Sequence, residues 1–311
     1  AAITTDEARE LDRLVMRRRT HRAPKATGTP GVGYVLNLSD FQIGKGEGGG
    51  TSATVERIMG ALHESAARVA ELRKAGRNIT TMVLAGMGDL AEQCIGHYPS
   101  QQFTVDRTRR EQLQIVRELL HAAIDLHADL APTMQVVAVP GNHGENRGGG
   151  GKSITTVADN DDLAVFDQVA EALAKNSGRY GHVVFRIADG LVQVADVEGV
   201  DVAWTHMHQG SGSGEAKIEA WWRGQVMGRN DVARAQILNT AHYHHLMISE
   251  STGRTVIQVP AMDGGSGWWN DKTGQRSQAG MVSYLAGAGC GPRGWSDMAI
   301  LGGGVQVSDD E

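Results

Sequence analysis

The chain has little of what staples, anchors or charges a protein. Its only cysteines, Cys94 and Cys290, cannot build a disulfide framework, which suits a reducing compartment and excludes a thiolate-rich zinc site. No apolar run approaches the roughly 20 residues that cross a bilayer. A cationic excess is missing too. The net charge is −6 with the 12 histidines neutral, so there is no general attraction for nucleic acid and any polyanion must be drawn in locally. Residues Thr5 to Arg22 are charged and helical in pattern, unlike a secretory signal or an anchor. These absences lead us to expect a soluble, cytoplasmic protein.

What the chain has in excess is glycine, 41 of 311 residues, concentrated at Gly44 to Gly50, Gly148 to Gly151, Gly210 to Gly214 and Gly264 to Gly267. These loops read equally as a flexible rim around a site and as plain surface connections. With 41% hydrophobic residues the chain can bury a large core. The expected organisation is an N-terminal helical extension over residues 1–30 and a single domain over residues 31–311, because the polar motifs come from both ends of the chain.

The pattern is that of an α/β chain. Tyr34 to Leu38, Ile79 to Ala85, Met134 to Val139, Val200 to Thr205 and Ala235 to Thr240 read as buried strands. Val55, Ile58, Met59, Leu62, Ala66, Val69 and Leu72 fall at helical spacing, with Thr51 or Ser52 as a cap and Gly76 as a stop. Further helices are expected from about Arg107 to Leu130 and from Asp161 to Asn176, the latter opening on acids that complement its dipole. Short strands follow at Val183 to Ala188, Leu191 to Asp196, Leu246 to Ser249 and Val256 to Val259, with turns at Gly190 and Gly253. Gly264 to Pro292 reads as a loop and a strand closing a second sheet, and Ser308 to Glu311 as a frayed acidic tail.

Five of these strands end on metal-ligand chemistry. Asp40 and Gln42 follow the first, Asp89 the second, Asn142 and His143 the third, His206 the fourth, and His242 and His244 the fifth. Side chains just past the carboxyl ends of strands point into a crevice, and carboxylate, amide and imidazole groups together suit a divalent cation. Lone helical histidines such as His63, His121 and His127 read as surface or partly buried side chains.

The ordered set Asp-x-Gln, Gly-Asp, Gly-Asn-His, His and His-x-His, spanning about Leu36 to Leu246, resembles the calcineurin-like metallophosphoesterase superfamily. That resemblance implies a four-layer α/β/β/α sandwich of two mixed sheets flanked by helices. Residue by residue, it implies one metal on Asp40, Gln42, Asp89 and His244, a second on Asp89, Asn142, His206 and His242, and a catalytic His143 that approaches the phosphate without binding metal. Two cations about 3.5–4 Å apart can activate a bridging water as hydroxide and neutralise transition-state charge. Mn²⁺ is favoured, with Zn²⁺ and Fe²⁺ compatible. Three features depart from the pattern. Gln42 stands where a histidine is usual, Ala241 stands where a glycine is common, and His208 and His245 compete with His206 and His244.

The implied activity is hydrolysis of phosphodiester bonds, with DNA the favoured substrate. The stretch Leu90 to Ser100 is similar to the histidine-bearing loop of double-strand-break repair nucleases, which implies His97 as a substrate contact; it reads nearly as well as a capped loop before the Arg107 helix. Arg147, with Lys152, Arg107, Arg109 and Arg110, reads either as a phosphate contact or as a charge paired with local acids. Similarity around Gly141 to Asn146 and His242 to His245 extends to bacteriophage-encoded members, which implies the cytoplasm of a bacterial host. A small-molecule phosphatase, a cyclic nucleotide phosphodiesterase and a non-catalytic binding scaffold are the alternatives. The pairs Trp221-Trp222 and Trp268-Trp269 fit base stacking and core packing alike.

Overall fold

Strands that are apolar at every position need cover on both faces. A computed structural model of the chain, describing residues 5–24, 29–148, 151–209, 214–265, 271, 274 and 278–302, gives them that cover. Gly149 and Gly150, residues 210–213, Ser266 and Gly267, the pair Trp268-Trp269 and the tail Ser308 to Glu311 lie outside the described residues.

The elements run α1 (Thr5–Met16), β1 (Val32–Leu38), α2 (Gly50–Lys74), β2 (Ile79–Gly86), α3 (Gln101–Thr104), α4 (Arg109–His127), β3 (Thr133–Ala138), α5 (Asp161–Ala174), α6 (Ser177–Tyr180) and β4 (Val183–Ile187). Then come β5 (Gln193–Val197), β6 (Val200–Thr205), α7 (Glu215–Met227), β7 (Ile237–Thr240), β8 (Met247–Ser251), β9 (Arg254–Gln258), β10 (Met281–Ala286) and β11 (Trp295–Leu301). The first sheet has the order β11-β10-β1-β2-β3-β4, with β1 to β4 parallel and β10 antiparallel to both its neighbours. The second has the order β5-β6-β7-β9-β8, in which β6, β7 and β9 are parallel and the edge strands antiparallel.

Side-chain alternation builds the layers. Tyr34, Leu36 and Leu38 of β1 and Met82 and Leu84 of β2 pack with Ile58, Leu62, Val116, Leu120 and Phe166 of α2, α4 and α5. Val35, Val83 and Val137 point the other way, against Val202, Trp204, Ile237 and Ile257 of the second sheet. Ile218 and Trp222 of α7 cover the far face over Ala203, Leu238 and Val256. The result is the four-layer α/β/β/α sandwich with two mixed sheets. Between the sheets a polar network fixes their relative placement: Asn37 donates to Asn239 Oδ1 at 3.0 Å, Trp204 Nε1 donates to Asn37 Oδ1 at 3.1 Å, and Asn239 Nδ2 donates to the Tyr284 hydroxyl at 2.9 Å. Left without their partners, such buried groups would each cost about 1–3 kcal/mol.

Three details differ from the sequence reading. The strand after Gly264 closes the first sheet rather than the second, since β10 pairs with β1 and β11 with β10. Gly190 does not turn a hairpin, because β4 and β5 belong to different sheets; the hairpin of that region is β5-β6, turning at Glu198 and Gly199 with φ of 50° and 86°. The helix α2 begins at Gly50 with Gly49 as its cap, and Thr51 instead accepts from Gly44 N at 3.0 Å and donates its hydroxyl to Asp106. Among the described residues no helix is long and apolar enough to cross a membrane.

Candidate metal centre

Parallel strands deliver their carboxyl ends to the same edge, so β1, β2 and β3 of one sheet and β6 and β7 of the other empty into one crevice. The chain leaves those strands in strained conformations. Of the eleven described non-glycine residues with positive φ, five are Asp40, Gln42, Asp89, His242 and His244, at 48°, 44°, 52°, 72° and 56°. Such strain persists where the surroundings over-determine it, and it clusters at functional sites. Here it turns each side chain out of its strand and toward the others.

Asp89, His206 and His242 present ligand atoms that all lie within 4.8 Å of one another. Asp89 and His206 are fully buried, with Asp89 Oδ2 3.0 Å from His206 Nε2. His206 Nδ1 donates to Met87 O at 2.8 Å, which orients the ring and directs Nε2 at the carboxylate. Of the two candidates after β6, then, His206 joins the cluster while His208 lies 3.5 Å from Glu145. Next to it, Asp40 Oδ1 is 3.1 Å from His244 Nε2, and Asp40 Oδ2 accepts from His242 N at 3.3 Å. Gln42 is buried, its carbonyl oxygen 3.1 Å from Lys45 Nζ. Asn142 follows Gly141, whose backbone packs against Asp89 with no room for a β-carbon.

The carboxylates and imidazoles of the cluster shift one another strongly. Burial opposes charge on His206, but Asp89 and Asp40 outweigh it and push its pKa up to about 9. His244 is pushed up to about 9 in the same way, chiefly by Asp40. Burial works against Asp89 as well, yet His206 and His143 hold it well below the usual carboxylate range. His242, partly buried beside His206, falls to about 4 and so stays neutral with a free lone pair. Asn142 Oδ1 is buried without a hydrogen-bond partner, while Asp40 Oδ1 and His206 Nε2 meet only His244 and Asp89. An orphaned acceptor on Asn142 beside convergent imidazole and carboxylate groups fits a divalent cation, which would satisfy both carboxylates in place of the protons held by the histidines.

His143 sits against this cluster. Its backbone N–H donates to Asp89 Oδ1 at 2.7 Å, and its Nδ1 donates to Glu92 O at 2.9 Å with Glu92 Oε2 3.4 Å away. The Tyr98 hydroxyl donates to Glu92 Oε1 at 2.6 Å, and burial raises the pKa of Glu92. His97 stacks on His143 with ring centroids 4.4 Å apart. Burial, helped by His143 and Arg147, lowers the pKa of His97 to about 3. His97 and Arg147 also line a cleft of about 430 Å³ with Tyr98, Pro99 and Gln102. Arg147 pairs with Glu145 at 3.0 Å and Arg109 with Asp161, so these two guanidinium groups are engaged by local acids. Trp222 lies in the core, donating to Val232 O at 3.0 Å.

The first turn of α5 holds the centre from behind. Asp162 accepts from Asp89 N, Leu90 N and Gly141 N, each at 3.0 Å, while Asn160 donates to Gly141 O at 2.9 Å. Burial and the nearby Asp89 raise the Asp162 pKa to about 6. Sequence reading passed over Asp162, Glu92, Lys45 and Asp263, all single residues outside any ligand motif. The acids opening α5 were the only visible signal, and their partners lie about 20 and 70 residues away.

No family model matches the sequence, and no protein of curated function matches it either. Solved structures are similar to it over most of its length at very low identity. A novel archaeal phosphodiesterase is 8% identical, covering 86% of this chain and 99% of its own, with a TM-score of 0.39. Vps29 of Entamoeba histolytica, complexed with Zn²⁺, is 13% identical, covering 86% and 98%, with a TM-score of 0.35. A Streptococcus pneumoniae protein described as a predicted phosphoesterase is 10% identical, covering 81% and 82%, with a TM-score of 0.31. Similarity this loose carries no argument about the chemistry of the present chain.

Proposed function

We propose that the protein is a divalent-metal-dependent hydrolase of phosphoester bonds. The observation that carries this reading is the convergence of Asp89, His206 and His242, the first and last on strained backbone, with Asp40 and His244 paired beside them and an unpartnered acceptor on Asn142. Asp89, Asn142, His206 and His242 would hold one cation, and Asp40, Gln42 and His244 are the candidates for a second position sharing Asp89. A cation there would supply Lewis acidity toward phosphoryl oxygens and would lower the pKa of water, for which Mn²⁺, Zn²⁺ and Fe²⁺ are all suitable and Mn²⁺ is our first choice. His143, tethered through Nδ1 to Glu92 O, keeps Nε2 for the substrate and can donate a proton to the leaving oxygen. Glu92 and Tyr98 fix that ring, and the stacked His97 shields one face of it.

Phosphodiesters are the substrate class we favour, and DNA the first candidate within it, with Arg147 and His97 as contacts in the cleft beside His143. A second reading, a small-molecule phosphodiester or phosphomonoester, draws support from the net charge of −6 and from the engagement of Arg147 and Arg109 by acids. Hydrolysis of bis-p-nitrophenyl phosphate beside single- and double-stranded DNA, with Mn²⁺, Zn²⁺ or Mg²⁺ at rising salt, separates them. DNA cleavage that falls steeply with salt supports the nuclease. Cleavage of the small ester alone moves the assignment to a small-molecule esterase. Silence with every metal defeats the hydrolase reading and leaves a scaffold.

A further inference from the structure

The two halves of the centre are not equivalent. On one side Asp89, His206 and His242 converge, and the Oδ1 of the adjoining Asn142 is buried and unpartnered. On the other side a protein cation is already in place. The Gln42 carbonyl oxygen accepts from Lys45 Nζ at 3.1 Å, and the same ammonium forms an ion pair with Asp263. Asp263 is 5% exposed, and its second oxygen lies 3.8 Å from His244 Nδ1, on the ring whose Nε2 meets Asp40.

The placement of this pair is built rather than incidental. Met262, next to Asp263, donates to Asp40 O at 3.1 Å and accepts from Arg57 Nε at 3.2 Å. The backbones of Gly48 and Gly264 approach so closely that neither position has room for a β-carbon. The segments carrying Lys45 and Asp263 are thus locked together at the rim of the Asp40 half. The Lys45 side chain is 13% exposed, so water screens its charge little. A positive charge within hydrogen-bond reach of a neutral ligand oxygen opposes a second positive charge on that oxygen. Gln42, a carbonyl where an imidazole would bind more strongly, has the least to offset that repulsion.

We propose that Lys45 serves as a fixed cation in the Asp40 half of the centre, so that the protein retains one divalent ion, on Asp89, Asn142, His206 and His242, and the Lys45 ammonium, oriented by Asp263, takes the place of a second. The inference rests on the metal-dependent reading above and sharpens it from a two-ion to a one-ion-plus-lysine centre. Lys45 then acts as an electrostatic residue toward the phosphoryl group.

The test is metal stoichiometry, which reads the site without requiring turnover. The metal-free chain is loaded with MnCl₂, passed through gel filtration and assayed for bound manganese, with a binding isotherm run in parallel. The wild type is expected to retain one ion per chain. Lys45→Met, which keeps the length and removes the charge, is expected to bind a second ion at least about tenfold more tightly than the wild type does, whereas Lys45→Arg should retain one. Two tightly held ions in the wild type overturn the proposal whatever the variants do, and so does a Lys45→Met isotherm that superposes on the wild type. No retained ion in any of the three proteins would instead overturn the metal-dependent reading itself, an outcome distinct from both.

Discussion

Single side chains divide into those that serve the centre and those that resemble it. His127 belongs to the second kind. It is fully buried, donates from Nδ1 to Ala123 O at 2.7 Å and lies 2.9 Å from the Ser65 hydroxyl through Nε2, a neutral arrangement that burial enforces by lowering its pKa from 6.5 to about 4. A folded value below the unfolded one means that the unfolded chain takes the proton more readily. The stability His127 allows is therefore intact above about pH 6.5 and is lost as the pH falls toward about 4. The loss attributable to this residue is on the order of 3 kcal/mol. Urea unfolding of His127→Gln should show a smaller loss between pH 7.5 and pH 4.5 than the wild type, and equal losses would show that this histidine does not titrate on unfolding. His143 is, in our proposal, of the first kind. Replacing it with Ala should cut turnover by about 10²–10⁴-fold, the usual worth of a positioned acid, and leave the metal isotherm unchanged. Loss of bound metal in that variant would make His143 a ligand and not an acid.

Among the elements, the first turn of α5 matters most, because one carboxylate there ties the loops after β2 and β3 together. Asp162→Asn keeps the size but exchanges an acceptor oxygen for an amide donor that faces backbone N–H groups. Metal affinity should fall by about 10–100-fold, as for outer-shell partners of metal ligands, in a titration of the metal-free protein with Mn²⁺. An unchanged isotherm would mean that the ligands are held without this clamp. Individual strands and helices were largely legible in the sequence. β1, β2, β3, β6 and β7 announce themselves as short apolar runs ending in polar cargo. Sheet membership was not legible. Nothing local to Met281–Ala286 tells it to pair with β1, some 245 residues earlier, and the crossing from β4 to β5 looks like a hairpin because both are short strands flanking a glycine.

For the molecule as a whole, the parallel strands of two facing sheets bring residues from Asp40 to Asp263 to one edge, and the polar network of Asn37, Asn239, Trp204 and Tyr284 sets the sheets against each other. The triad Asp89, His206 and His242 could be named from sequence because each residue ends a strand in a motif. Asp162, Glu92, Lys45 and Asp263 could not, since only the folded chain brings them to the loops at this edge. We propose that this edge is a catalytic metal centre. The most direct test is to titrate metal-free protein with Mn²⁺ and follow bis-p-nitrophenyl phosphate hydrolysis at each addition, with Asp89→Asn alongside. Hydrolysis should rise in step with occupancy, saturate with it, and be absent from Asp89→Asn. Full occupancy without hydrolysis, or hydrolysis that persists without metal, would contradict it.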